Sequence, residues 1–399
     1  MHVGNSPFFQ KPKDDDVKKH GGKSLAQLYN LTKKIEEGIP SGAIYVGYGA
    51  EEIQATSSGQ ITSMQINLDS EEIYASWIGE ALAIGVSGAM VMLIDEPEVL
   101  TALFEGWNYY RKYLEQTPNL KDKQIETWNG NWLSHRFDKK FDTNNPLNNF
   151  QIAVTEVQGN IAIPTLAWSK VIFALAKKYP KKIITAYAYN LSQTNTTLGF
   201  INLFLPEVRR LFEIRDALFI DESDSILNSQ EIESLETFYN FRNACKIGTI
   251  GLKALEPEKL RDYMPKGSML YSKGLDFKFI DDNSYHIYQL YKIWIIAMLN
   301  KTELLQIASE VAKALVIYEA NGNKDNRGKK DKEQDANKVK DAKNVRDFIE
   351  SLTEILEKEK ENGEIFKNAV AQILIMPVDN FPLFATLVRF EYTYLKTKN

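Results

Sequence analysis

The chain has 399 residues, with 48 Lys and Arg against 53 Asp and Glu, a formal charge of −5 and a single cysteine. At about 100–200 residues per domain this length implies two or three units, and 44% hydrophobic with 11% aromatic residues excludes wholesale disorder. One cysteine excludes a disulfide framework or a Cys-based zinc ribbon, and the mild acidity argues against an autonomous nucleic-acid-coating protein while leaving a local basic patch open. No run of about 18 apolar residues is present, and the polar start with Asp14, Asp15 and Asp16 is unlike a signal peptide. A cytoplasmic location without membrane partners is the expectation.

Leu25, Leu28, Leu31 and Ile35 predict a short amphipathic helix ending at Gly38. Alternation from Gly42 to Leu68 predicts two short strands. Asp69 or Ser70 then caps a helix through Leu82 with Ile73, Trp77 and Ile78 on its apolar side. Ala89–Ile94 reads as a strand. Asp95, Pro97 and Glu98 form a capping-box pattern ahead of a helix carrying Leu100, Leu103, Phe104, Trp107 and Leu114. Lys121–Asn149 is polar and reads as an extended surface loop and a boundary.

A second unit begins near Phe150. Ile152–Val157 and Ile183–Tyr189 read as strands, Trp168–Lys178 as a helix, and Pro206 starts another through Phe219. Asn228 with Glu231 caps a helix reaching Ala244, and Tyr285–Ala320 is mostly helical. Asn321–Lys343 holds almost no apolar residues and reads as a flexible insertion. Phe348, Leu352 and Ile355 mark one amphipathic helix; Phe366, Ala369, Val370, Ile373 and Leu374 mark the next. Asp379 or Asn380 caps a last helix with Pro382 in its first turn and Leu383, Leu387 and Val388 inward. The fold class is α+β: an irregular mixed N-terminal body with small sheets, then a C-terminal helical bundle. The expected segments are a flexible stretch with a short helix at 1–40 and mixed α/β regions at 41–149 and 150–284. A bundle at 285–399 follows, with its flexible insert at 321–343.

Three features mimic a nucleotide site: Gly22-Lys23-Ser24, and apolar runs ending in Asp95-Glu96 and Asp221-Glu222. A phosphate loop also needs a glycine five residues before Gly22, where Val17 stands, and a preceding hydrophobic strand, which the charged residues 11–16 do not offer. The histidines at 2, 20, 135 and 286 are scattered, and Asp221, Asp224, Asp281 and Asp282 read as solvated loop carboxylates. Cys245, beside Phe241, reads as a buried structural thiol. No catalytic constellation, metal or cofactor is expected.

Binding chemistry is better represented. Gln193, Thr194, Asn195, Thr196 and Thr197 form an uncharged, hydrogen-bond-rich loop suited to base edges and phosphates, or to plain solvent. Trp128 and Trp132 flank an apparent turn, where they either stack on bases or anchor the loop on the core. Lys246, Lys253, Lys259, Arg261, Lys266 and Lys273 cluster among Gly248, Gly251, Gly267 and Gly274, which reads as a phosphate-binding stretch or a solvated face.

The runs Gln193–Phe200 leading into Leu205–Arg210, Phe238–Asn243 with its Gly- and Lys-rich sequel, and Met376–Phe384 resemble the large subunit of a type I CRISPR surveillance complex (Cascade). The resemblance implies no catalysis. It implies a subunit that helps to recognise the flanking motif in target duplex DNA and stabilises the guide–target assembly, while base pairing reads the target. Its partners would be the other effector subunits, guide RNA and double-stranded target DNA. The resemblance assigns duplex recognition to Gln193–Thr197 and phosphate contacts to Lys253, Lys259, Arg261, Lys266 and Lys273. Two other classes stay open: a divergent phosphate-loop enzyme using Gly22–Ser24, and a protein scaffold built on the helical bundle.

Overall fold

The computed structural model describes residues 11–37, 61–63, 69–121, 124–190, 197–219, 232, 241–321 and 326–398. The chain is α+β and forms two compact units, Met1–Pro206 with Asn240–Gly251, and Glu207–Tyr239 with Leu252–Asn399. Among the described residues no helix is long and apolar enough to cross a membrane.

The first unit begins with helices α1 (Asp14–His20) and α2 (Lys23–Glu36), joined at Gly21, whose φ of 74° ends α1 in a left-handed cap. α2 buries Ala26, Gln27, Leu31 and Ile35, leaving Leu25 and Leu28 exposed. α3 (Ser70–Glu80) carries the expected cap: Asp69 accepts from the Glu72 amide at 2.8 Å and Glu72 reaches back to the Asp69 amide at 3.2 Å. Ile73 faces inward, whereas Ile78 is exposed; the Trp77 side chain and most of Gly42–Leu68 lie outside the described residues.

Strands β1 (Ile84–Val86) and β2 (Met90–Ile94) lead to α4 (Pro97–Gln116) and α5 (Ile125–Arg136). A small hairpin, β3 (Thr155–Val157) with β4 (Asn160–Ala162), precedes α6 (Trp168–Lys178). Then come β5 (Ile183–Asn190), β6 (Thr197–Phe204), α7 (Leu205–Phe219), α8 (Phe241–Lys246) and β7 (Thr249–Ile250). The main sheet has the order β1-β2-β5-β6-β7, antiparallel except for β6 with β7. Ile184, Ala186 and Ala188 of β5 and Ile201 and Leu203 of β6 are buried at period-two spacing, whereas Met90, Val91, Met92 and Ile94 of β2 are buried on both faces. The division expected near residue 150 does not occur, because β2 pairs along its full length with β5. A strand and its ladder partner belong to one cooperative sheet however far apart they stand in sequence.

The polar stretch 121–149 contains α5 rather than only loop. Trp128 and Trp132 sit one turn apart on α5 and are buried, donating from Nε1 to the carbonyls of Gly106 at 3.2 Å and Ala102 at 2.7 Å. Base stacking is closed to both rings. Asn129, also buried, donates to the Ala81 and Ala83 carbonyls, so α5 is stitched to the residues leading into β1. The expected Asp95–Glu98 capping box is absent, since Glu96 is the cap residue and makes no side-chain cap bond. Glu98 turns instead to Lys178 at 2.6 Å and to the Tyr179 hydroxyl at 3.0 Å; the lysine contact holds its carboxyl below the usual range.

The second unit takes in α7 from Glu207 onward and, from Leu252, runs through a one-turn 3-10 helix (Leu252–Leu255) and α9 (Leu260–Tyr263) into the bundle. Its helices are α10 (Asp282–Leu299), α11 (Glu303–Ala320), α12 (Asn326–Lys340), α13 (Val345–Lys358), α14 (Gly363–Ile375) and α15 (Phe381–Lys398). Residues 252–281 pack with these helices, so the expected division at 284/285 also falls inside a unit. α11 and α15 carry the core through Val311, Leu315, Leu383, Leu387 and Val388, and Phe348 of α13 meets Phe381 and Phe384 edge-on. Leu383, Leu387 and Val388 are buried as their spacing predicts, but so is every residue from Phe381 to Tyr392, so this part of α15 is covered on all sides. The insert expected to be flexible is ordered as α12 over 326–340. Its composition holds almost no apolar residues, but the surrounding chain supplies the opposite charges.

Candidate nucleic-acid interface

The basic segment 252–278 is laid against the second unit by apolar and polar anchors. Leu252, Leu255, Leu260, Met264 and Phe277 are buried. Trp294 Nε1 donates to the Leu252 carbonyl at 3.1 Å, and the Tyr291 hydroxyl donates to the Glu258 carbonyl at 2.9 Å. Phe277 lies within an aromatic cluster with Tyr263, Tyr288, Tyr291 and Phe390 at ring separations of 5.1–6.2 Å.

The chain then folds back on itself. The amides of Gly274 and Leu275 donate to the carbonyls of Met264 and Asp262, both at 2.8 Å, and Ser272 Oγ accepts from the Gly267 and Met269 amides. Gly274 is required at this crossing: its φ is +70°, and a Cβ would stand 3.0 Å from the Lys266 amide nitrogen. Arg389 of α15 clamps the far end, donating to the carbonyls of Gly274 and Leu275 and to Asp276 at 2.9 Å.

On this frame Lys253, Lys259 and Lys266 are exposed, and among the described residues none forms an ion pair. Lys259 occupies a left-handed corner at φ 65°, a conformation that disfavours a lysine and is held by the start of α9. Lys273 is exposed as well but its ammonium lies 3.0 Å from Asp262, so its charge is partly neutralised.

Arg261 corrects the expectation. Only 7% of it is exposed, and its guanidinium makes a two-pronged bond to Glu256, itself 2% exposed, at 2.7 and 2.8 Å. A third bond reaches the Leu270 carbonyl at 3.1 Å. A phosphate would have to displace a buried carboxylate to reach it. Arg261 holds the segment in place rather than touching a ligand. Glu256 and Arg389, both essential to this geometry, were invisible in the sequence because their partners lie off helical spacing or far along the chain.

Gln193, Thr194, Asn195 and Thr196 lie outside the described residues, between β5 and β6. Thr197 opens β6, paired with Tyr189. Asp221, Glu222, Asp224, Asn228 and Glu231 also lie outside.

The phosphate-loop mimic lacks its strand, since α1 rather than an extended segment precedes Gly22. Ser24 Oγ accepts from Arg111 at 2.8 Å, beside an open groove of about 390 Å³ lined by Leu25, Leu28, Phe104 and Asn108. Asp281 is a helix cap, accepting from the Ser284 amide at 2.7 Å. Among the described residues no three His, Cys, Asp or Glu side chains are grouped to hold a metal ion.

Cys245 is buried on α8, and burial pushes its thiol up to about 12. At pH 8 roughly one thiol in 10⁴ is then ionised. Maleimide labelling is therefore expected to wait for unfolding; fast labelling of the folded protein at pH 8 would contradict the burial. Comparison with protein-family models, with curated proteins and with solved structures finds no match.

Proposed function

We propose that this chain is a non-catalytic, cytoplasmic subunit of an RNA-guided effector complex of the type I CRISPR kind. In this reading it helps to recognise duplex DNA flanking the target and stabilises the guide–target assembly, with other effector subunits, guide RNA and target duplex as partners. The observation that carries the reading is the pinned segment 252–278. Its exposed Lys253, Lys259 and Lys266 form no ion pair among the described residues, while the buried Arg261–Glu256 pair and Arg389 hold the backbone beneath them. Exposed ammonium groups that form no ion pair among the described residues attract a polyanion, and a fixed backbone lowers the entropic cost of binding. The resemblance of the Gln193–Phe200, Phe238–Asn243 and Met376–Phe384 runs supplies the choice of complex. The net charge of −5 fits binding within an assembly rather than alone.

The test co-expresses the chain with its genomic neighbours and measures duplex binding by the purified assembly at roughly 50–200 mM salt. The combined variant Lys253→Ala, Lys259→Ala, Lys266→Ala is expected to bind about tenfold or more weakly, with a salt slope shallower by roughly 1 for each phosphate no longer neutralised. Gln193→Ala with Asn195→Ala is expected to weaken binding and leave the slope alone. An unchanged slope in the lysine variant, with assembly intact, discards the basic segment as the DNA-binding surface. Failure of guide RNA to co-purify discards the complex itself and leaves the scaffold reading.

A further inference from the structure

Helix α12 is held differently from its neighbours. From Asn326 to Lys340 its only apolar side chains are Ala336 and Val339, both buried, against a run of lysines and carboxylates. What fastens it is charge. Lys332 pairs with Glu359 at 2.8 Å, Asp335 with Lys358 at 2.5 Å, and Lys338 with Glu354 at 2.7 Å. Lys340 pairs with Asp276 at 3.1 Å, and Asp341, just past the helix, pairs with Arg389. The Tyr318 hydroxyl of α11 adds a bond to Asp335 at 3.0 Å. In most of these pairs at least one partner is about half exposed, so solvent ions reach it. α11 and α15 also share the Lys396–Glu319 pair at 2.7 Å, but they and α13 bury many aliphatic and aromatic side chains, whose packing salt does not screen.

We propose that α12 is a salt-releasable strap: it detaches from α11, α13 and α15 as one unit when its ion pairs are screened, while those helices stay folded. The inference rests on the ion pairs and is independent of what the protein binds. A segment with so little buried apolar surface sits at the low end of local stability, and pairs of this exposure weaken with ionic strength. Release uncovers the rings of Tyr318 and Tyr392, over which Lys332 and Lys340 now lie at 4.5 and 5.9 Å. It also removes one of the two cations that Asp276 meets among the described residues, the other being Arg389, so the strap reaches the Gly274–Asp276 corner of the basic segment.

Hydrogen exchange of the full chain at low and high salt tests this. Between about 0.05 and 0.5 M NaCl, amides of residues 330–340 are expected to exchange roughly tenfold faster, with α11 and α15 changing less than about twofold. Lys332→Ala with Lys338→Ala is expected to give fast exchange already at low salt. The swap Lys338→Glu with Glu354→Lys is expected to restore protection relative to Lys338→Glu alone. Exchange in α12 that tracks α11 and α15 at every salt concentration, or that ignores salt, overturns the strap.

Discussion

Trp132→Ala is expected to destabilise the first unit by about 3–5 kcal/mol, the range for removing a buried tryptophan. The indole is 1% exposed, stacks on Tyr109 at 4.9 Å, and meets Phe141 and Phe150 edge-on at 6.1 and 5.6 Å. Its truncation leaves a cavity walled by other aromatic rings, which do not collapse into it readily. The position facing it on α4 makes the same point from the opposite side. A Cβ on Gly106 would stand 2.4 Å from the Trp132 ring, so Gly106→Ala forces α4 and α5 apart despite alanine's better helix propensity. Because the two substitutions act on one contact, Gly106→Ala with Trp132→Ala should cost less than their sum. Urea unfolding followed by tryptophan fluorescence measures all three. A loss under about 1 kcal/mol for Trp132→Ala would mean that α5 is not part of this core.

The second large effect concerns Arg261. Arg261→Met is expected to cost about 3–5 kcal/mol, because it strands the Glu256 carboxylate in the interior. Glu256→Leu with Arg261→Met removes both charges together and is expected to recover most of that loss. Arg261→Lys separates the buried pair from a phosphate-binding role. Lysine keeps the positive charge but lacks the planar fork that grips both Glu256 oxygens, so the buried pair predicts reduced stability. A phosphate-binding role would tolerate the change. Normal stability of Arg261→Lys, together with a shallower salt slope for duplex binding in Arg261→Met, would return Arg261 to the ligand-binding set.

Local patterns carried far in this chain. The Asp69 cap, the inward Leu383, Leu387 and Val388 of α15 and the buried Cys245 each depend on residues a few positions apart, and each stands as expected. The Asp95–Glu98 box shows the limit. The pattern is present, but Lys178 and Tyr179, 80 and 81 positions on, compete for Glu98 and win. A motif reports what a side chain can reach locally and is silent about stronger partners brought in by the fold.

The amino-acid sequence by itself determined the α+β class, most helix positions and the place of the basic segment, because periodicity, caps and charge clusters are short-range properties. Tertiary structure alone decided three matters. It turned Trp128 and Trp132 inward, since only the close approach allowed at Gly106 gives α5 a place on α4. It withdrew Arg261 from the surface by supplying Glu256 beneath it. And it ordered 326–340 as a helix, because the charges that fasten it stand on residues 276, 354, 358, 359 and 389. In each case the deciding partner lies outside the local pattern, and its Coulombic or packing contribution exists only once the fold has brought it within reach.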